Sequence, residues 1–204
     1  MEIINDNKEL KKLLEDSNFQ TIKFCLLGID NTGKTSLLDR IVYQKNFKYF
    51  KESIQGNISN THANHRIIFV KNKYKLFKLE LLDIPGQLIY FSLIEDFYQD
   101  IDVILNFYDP FKKESFDYIK RCFQSISELN NPSLCTYIII KNKNDLNETK
   151  DQKIMISDEE ILEYADKNNL SFRNLSNLEK YSLGIEEIIE DCINDYLHKN
   201  NKNL

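Results

Sequence analysis

The chain has 204 residues, 42% of them hydrophobic, and its 27 basic and 32 acidic residues give a formal net charge of −5. This length predicts one domain with a sizeable core, and the acidic balance argues against a nucleic-acid surface. There is no apolar run near the roughly 20 residues that span a bilayer, no signal-peptide pattern and no C-x-x-C spacing among four cysteines, so we expect a soluble cytoplasmic protein.

Residues 1–20 are predicted to form an N-terminal amphipathic extension. In a helix its apolar residues fall largely on one side: Ile3, Ile4, Leu10, Leu13 and Leu14. Such a helix can dock on the domain or lie on an intracellular membrane, and the mixed charge of its polar side favours docking. Because Glu2 follows Met1, N-myristoylation is not available.

The next stretch, residues 28–35 (GIDNTGKT), fits the pattern G-x-x-x-x-G-K-T, and we call it the phosphate loop. An apolar run at 22–27 predicts a strand before it, and the spacing of 36–42 predicts a helix after it. Glycines let backbone N–H groups surround a polyphosphate, the lysine reaches the β- and γ-phosphates, and the threonine hydroxyl can coordinate Mg²⁺. The predicted contacts are Gly28, Asp30, Asn31, Thr32, Gly33, Lys34, Thr35 and Ser36.

The remaining chain alternates between predicted strands and helices. After a loop at 43–56, strands are predicted at 65–71, 74–83, 103–108, 134–141 and near 172, and helices at 112–129, 158–167 and 185–197. The strands at 65–71 and 74–83 form a hairpin, and the later alternation of strands and helices implies crossover connections. We therefore predict an α/β fold, with a mostly parallel six-stranded sheet covered by helices on both faces. Ligands bind at the carboxyl ends of such strands, so the phosphate loop, Asp83, Asp109 and Asn142 should converge there.

In this order the motifs resemble those of the Ras-like small GTPases over residues 21–198. The phosphate loop is most similar to the Arf-like branch, whereas residues 108–116 (YDPFKKESF) and 142–146 (NKNDL) are more similar to the Rab branch. The resemblance implies a small GTPase domain of the P-loop NTPase fold at 21–198, with the extension at 1–20 before it and a short polar tail at 199–204 after it. It also implies GTP or GDP as ligand and Mg²⁺ as cofactor.

The element Asp83-x-x-Gly86-Gln87 resembles the second phosphate-sensing motif of this family. By that resemblance, Asp83 holds Mg²⁺ through water and the Gly86 N–H meets the γ-phosphate. Gln87 is then the catalytic residue, because it orients the attacking water.

Asn142, Lys143 and Asp145 match the family's guanine motif Asn-Lys-x-Asp. The Asp145 carboxylate can accept hydrogen bonds from the N1–H and the exocyclic amine of guanine, which adenine does not offer. This pairing disfavours a third interpretation, a P-loop ATPase or kinase. The family's Ser-Ala-Lys loop is matched by Ser176 and Asn177, where only the serine is kept.

The switch-loop residue that joins Mg²⁺ in this family has two candidates. Ser53 lies 19 residues after Lys34 and keeps the hydroxyl and the N–H, whereas Thr61 keeps the usual residue type. The stretch from Ser53 to Asp83 is several residues longer than is usual in the family, and we expect an insertion near 58–64.

Three departures from the family pattern bear on mechanism. Asp30 stands where many Ras-like proteins have a small residue, and its charge opposes the negative charge that develops in hydrolysis. Pro85 stiffens the turn before Gly86, and the tail carries no terminal cysteine for prenylation. Membrane contact is therefore expected only through the N-terminal extension or a partner.

These features predict a slowly GTP-hydrolysing molecular switch in intracellular trafficking or a related regulatory pathway. By resemblance, its partners are an exchange factor, an activating protein and effectors. The alternative is a GTPase-like structural subunit that binds guanine nucleotide without switching. The intact Gln87 favours the switch, whereas Asp30, the serine at position 53 (Ser53) and the missing lipid site favour the subunit.

Overall fold

A computed structural model describes residues 19–43, 50–51, 64–72, 75–86, 100–128, 135–143, 153–175 and 183–201. The strands are β1 (Gln20–Leu27), β2 (Phe50–Lys51), β3 (Asn64–Asn72), β4 (Lys75–Asp83), β5 (Val103–Tyr108), β6 (Thr136–Lys141) and β7 (Ser171–Asn174). The helices are α1 (Lys34–Tyr43), α2 (Lys113–Glu128), α3 (Asp158–Lys167) and α4 (Leu183–Asn201).

The described strands form one sheet in the order β2-β3-β4-β1-β5-β6-β7. Strand β1 is parallel to both β4 and β5, and β6 continues the parallel part between β5 and β7. Strands β2, β3 and β4 pair in antiparallel fashion. The predicted α/β fold with a mostly parallel sheet is confirmed, and the six predicted strands correspond to β1 and β3 to β7.

Two details differ from the prediction. The stretch 43–56, predicted as a loop, contains β2, which pairs Phe50 with Phe69 and Lys51 with Ile68. A two-residue strand is too short to show the alternation by which strands are recognised. The last helix also extends beyond its apolar stripe to Asn201. There the Lys199 ammonium donates to the Cys135 carbonyl before β6, which gives the polar last turn a partner.

The core lies in two layers, one on each face of the sheet. Along β1, Phe24 and Leu26 face the layer under α1 and α4, whereas Cys25 and Leu27 face the layer under α2 and α3. Strands β5 and β6 are buried along their whole length, as expected for central parallel strands covered on both sides. The strand ends at the site are therefore held by packing from both layers. No described helix combines the length and apolarity needed to cross a membrane.

A buried polar contact interrupts the layer beneath α2. The Asn106 amide of β5 is fully buried and donates to the Tyr137 hydroxyl of β6 over 2.6 Å. That hydroxyl in turn donates to the Ile119 carbonyl of α2 over 3.4 Å. Because this amide is fully buried, the tyrosine oxygen satisfies a group whose isolation would be costly.

We expect Tyr137→Phe to destabilise the fold by about 1–3 kcal/mol, because it leaves the buried Asn106 amide without this acceptor. The measurement is the free energy of unfolding in urea. The double variant Asn106→Leu/Tyr137→Phe should lose less than the sum of the two single changes, since it removes donor and acceptor together. Unchanged stability of Tyr137→Phe would contradict this role of the hydroxyl.

Candidate functional site

The phosphate loop joins β1 to α1 through three residues with positive φ: Gly28 at 140°, Asn31 at 64° and Gly33 at 94°. A Cβ at Gly28 would stand 2.6 Å from the Phe107 carbonyl oxygen of β5. This position therefore excludes a side chain. Asparagine is among the few residue types that adopt the left-handed conformation readily, which suits Asn31. These three residues thus allow the backbone to turn tightly where the loop leaves the sheet.

Lys34 opens α1, and its ammonium lies beneath the loop. Its Nζ donates to the carbonyl oxygens of Gly28 at 2.7 Å and Ile29 at 3.1 Å, and the residue is only 5% exposed. Burial lowers the pKa of Lys34, and the nearby carboxylates of Asp83 and Asp30 oppose that shift. The positive charge is thus held next to the loop, where an anion would favour it.

Asp83 ends β4 and meets the first turn of α1. The Thr35 hydroxyl donates to its Oδ2 at 2.6 Å, and Asp83 is 4% exposed. Burial raises the pKa of Asp83, although the Thr35 hydrogen bond and the charge of Lys34 work in the opposite direction. A hydroxyl and a carboxylate so close together form a hard oxygen donor set of the kind that Mg²⁺ takes, so Thr35 and Asp83 fit this cofactor.

A pocket of about 480 Å³ opens between the phosphate loop, α1 and the segment after β4. Among the predicted residues that line it are Asp30, Asn31, Gly33, Lys34, Thr35, Ser36, Asp83 and Gly86. Gly28 and Thr32 belong to the same loop, and the Thr32 hydroxyl donates to the Ile29 carbonyl at 2.8 Å. The structure thus brings together all the predicted loop residues and the described part of the second motif.

The segment after β4 packs directly on the phosphate loop. The Ile84 N–H donates to the Leu26 carbonyl at 3.3 Å, and the Gly86 N–H donates to Asp30 Oδ1 at 3.1 Å. A Cβ at Gly86 would lie 2.4 Å from the Asp30 nitrogen, so only glycine fits. The prediction assigned this N–H to a γ-phosphate, whereas here a side chain of the loop accepts it.

The end of β6 lies against the other side of the phosphate loop. Asn142 is 2% exposed, and its amide donates to the Thr32 carbonyl at 2.8 Å. Lys143 has a φ of 62°, and its ammonium forms a 2.6 Å ion pair with Asp109 Oδ2. Two residues of the predicted guanine motif therefore lie next to the loop, as the convergence of strand ends requires.

Two residues at this edge were given no binding role in the prediction, although Asp109 was expected to lie here. Asp109 follows β5, and besides pairing with Lys143 it accepts the Phe111 N–H through Oδ1 at 3.0 Å. Its position after a buried strand was the available signal. Asn64 lines the pocket at the start of β3, where its side chain hydrogen-bonds Asp83 and lowers the pKa of that carboxyl. It fell within the stretch interpreted as an insertion.

Several predicted residues lie outside the described part of the chain. They are Gln87, Asp145, Ser176, Asn177 and both switch-loop candidates, Ser53 and Thr61. The amphipathic helix predicted for the N-terminal extension also lies there, apart from Phe19 and Gln20. Their roles stay predictions.

Comparisons with known proteins give a consistent result. The Ras family model matches residues 23–198. The chain is 30% identical over 181 residues to Ras-related protein RabH of Dictyostelium discoideum, a match that covers 88% of this chain and 83% of that protein. It is 28% identical over 180 residues to Ras-related protein Rab-1 of Theileria parva, with 85% and 76% covered. For Ras-related protein Rab-4 of Dictyostelium discoideum the identity is 26% over 178 residues, with 87% and 80% covered.

We expect the Asp109–Lys143 pair to couple by about 1–3 kcal/mol in unfolding free energy, because the carboxylate is 3% exposed and cannot regain water when the lysine is removed. The measurement is a double-mutant cycle of Asp109→Asn and Lys143→Met in urea. Lys113→Met, at an exposed position on α2, is the matched control and should change stability little. Additive effects of the two variants would show that the pair does not anchor the site.

Proposed function

The chain belongs to the Ras family, and from this premise we propose that it is a GTP-binding molecular switch that hydrolyses GTP slowly. The comparisons bear out the predicted resemblance to the small GTPases. The observation that carries the proposal is the convergence of Lys34, Thr35 and Asp83 on one pocket, beside a loop whose backbone turns through three residues with positive φ. One cation, one hydroxyl and one carboxylate are the groups that a metal-bound polyphosphate requires.

In this proposal the phosphate loop binds the phosphates. Its backbone N–H groups and the N-terminus of α1 attract the anion, and the Lys34 ammonium exchanges loop carbonyls for phosphate oxygens. Thr35 would hold Mg²⁺ directly and Asp83 would hold it through water; the ion supplies positive charge to the phosphate oxygens when bound. The chain's own contribution is to bring these two groups together, since the Thr35 hydroxyl donates to Asp83 Oδ2 at 2.6 Å.

The base would lie on the side of Asn142 and Lys143. Asn142 ties the end of β6 to the phosphate loop through a buried hydrogen bond to the Thr32 carbonyl, which joins the proposed base side of the site to the proposed phosphate side. Asp109 holds the Lys143 ammonium, which leaves the lysine stem available to lie along a base. Asp145 is proposed to select guanine, and Ser176 and Asn177 to offer backbone N–H groups to it.

Hydrolysis and switching are proposed for the segments that follow β4 and α1. Gln87 would orient the attacking water, and the Gly86 N–H would meet the γ-phosphate. Ser53 or Thr61 would add the second hydroxyl to Mg²⁺. Slow hydrolysis is supported by the Asp30 carboxylate at the rim of the pocket, because negative charge there opposes the charge of the transition state.

For the cellular role, we propose a cytoplasmic regulator in vesicle trafficking that acts through an exchange factor, an activating protein and effectors. The support is similarity to proteins named Rab at about 30% identity or less. The extension at 1–20 is the proposed means of contact with a membrane. The Arf-like character of the phosphate loop stays an inference from that one motif.

A second candidate is a structural subunit that binds guanine nucleotide without switching. The hydrogen bond from Gly86 N–H to Asp30 favours it, because the group that would sense a γ-phosphate already has an acceptor. The two candidates share the nucleotide and differ in whether a third phosphate changes the protein.

We expect GTP and GDP to bind far more tightly than ATP, because Asp145 pairs with groups that only guanine presents. The measurement is competition of each unlabelled nucleotide against a fluorescent GDP analogue. Asp145→Asn should shift the preference toward xanthine nucleotides, whose donor pattern suits an amide, and Asp151→Asn is the matched control. Equal affinity for ATP and GTP would overturn the proposed function.

A further inference from the structure

One hydrogen bond in the pocket joins Asp30 and Gly86, two residues to which the proposed function gives separate roles. Asp30 is exposed and Gly86 is buried, yet the Gly86 N–H donates to Asp30 Oδ1 at 3.1 Å. The two backbones also touch, since a Cβ at Gly86 would stand 2.4 Å from both the Asp30 nitrogen and the Ile29 carbonyl carbon. Because the two backbones are this close, a change in the acceptor of the Gly86 N–H must also affect the phosphate loop.

The charges around the pocket make this contact informative. Among the described residues, its lining holds one cation, Lys34, and two carboxylates, Asp30 and Asp83. Lys34 donates to the carbonyls of the loop, and Asp83 accepts from Thr35. The Asp30 carboxylate accepts from the Gly86 N–H, where a third phosphate group would add negative charge beside it.

We propose that Asp30 determines specificity for the phosphate chain: it favours a nucleoside diphosphate over the triphosphate by occupying the Gly86 N–H. This inference rests on the proposed function, which assigns that N–H to the γ-phosphate. A diphosphate leaves the hydrogen bond in place. A triphosphate must displace the carboxylate from the N–H and bind next to its charge.

The Gly86 N–H can exchange one acceptor for the other without being left unpaired in either state. A hydrogen bond from an N–H to a carboxylate is charge-assisted, and a buried N–H without an acceptor is unfavourable. Asp30 satisfies the Gly86 N–H when no γ-phosphate is bound, and the γ-phosphate satisfies it otherwise. The same N–H thus has an acceptor in both states, and the free energy of displacing Asp30 is subtracted from the affinity for the triphosphate.

The test compares dissociation constants for GDP and for a non-hydrolysable GTP analogue in the presence of Mg²⁺. Asp30→Ala should shift the affinity ratio toward the analogue by at least about tenfold, which corresponds to about 1.4 kcal/mol. Asp30→Asn keeps an oxygen acceptor but loses the charge, so its shift should be smaller. Asp166→Ala, at an exposed position on α3 outside the described lining of the pocket, is the matched control. The control should keep the wild-type ratio.

A second readout observes the contact itself. The sequence has five glycines, and Pro85-Gly86 is its one Pro-Gly pair, so ¹³C-carbonyl proline with ¹⁵N-glycine labelling selects the Gly86 amide signal in NMR. With GDP bound, Asp30→Ala should move this signal and Asp166→Ala should not. A purely structural role of Asp30 would change thermal stability without moving the ratio of affinities.

If Asp30→Ala left both the ratio of affinities and the Gly86 signal unchanged, the inference would be overturned. GDP binding in the same experiment would still uphold the proposed function. If the wild-type protein bound neither nucleotide, both would fall. Should Asp30→Ala not fold, Asp30→Asn decides: a ratio equal to wild type would overturn the inference, and a shift toward the analogue would support it.

Discussion

The parallel pairing of β1 with β4 sets the geometry on which the site depends. The register places Leu26 beside Asp83, so the end of β4 lies next to the start of the phosphate loop. From there the Asp83 carboxylate reaches the Thr35 hydroxyl at the first turn of α1. A shift of one residue would turn Asp83 to the other face of the sheet and separate the two oxygens. The two core layers that hold β1 on both faces therefore also maintain the phosphate end of the site.

Burial gives this site a charge pattern that suits one class of ligand. It raises the pKa of Asp83 and lowers that of Lys34, so it disfavours the charged form of each. A divalent cation beside Asp83 and an anion beside Lys34 both reverse that effect. A metal-bound polyphosphate carries both a cation, which suits Asp83, and an anion, which suits Lys34. A ligand of this class therefore matches a pocket that contains both residues. Asp30 adds a second carboxylate to the described lining of this pocket.

The sequence was most informative where local patterns are strong. The bounds of β5 and α3 agree with the prediction, because one is a continuous apolar strand and the other begins with the capping pattern of Ser157 and Glu160. The phosphate loop was recognisable from glycine and lysine spacing alone. Strand β2 was missed because its two residues carry no periodicity, and it forms only through pairing with β3.

The contacts that distinguish this protein could not be read from the sequence. Asp30 meets Gly86 across 56 residues, and Asp109 meets Lys143 across 34. A motif gives the residue type and its place on an element, whereas the partner of a side chain depends on how strands order in the sheet. The convergence of strand ends predicted that Asp109 would lie at this edge, but the ion pair with Lys143 required the structure.

The central claim is that the protein around this site changes when a third phosphate is bound. The most direct test is hydrogen–deuterium exchange, measured first with GDP and then with a non-hydrolysable GTP analogue. We expect slower exchange with the analogue in residues 47–56 and 86–91, with α4 unchanged as an internal reference. Identical exchange in both states, with nucleotide bound in each, would contradict the switch and support the structural subunit.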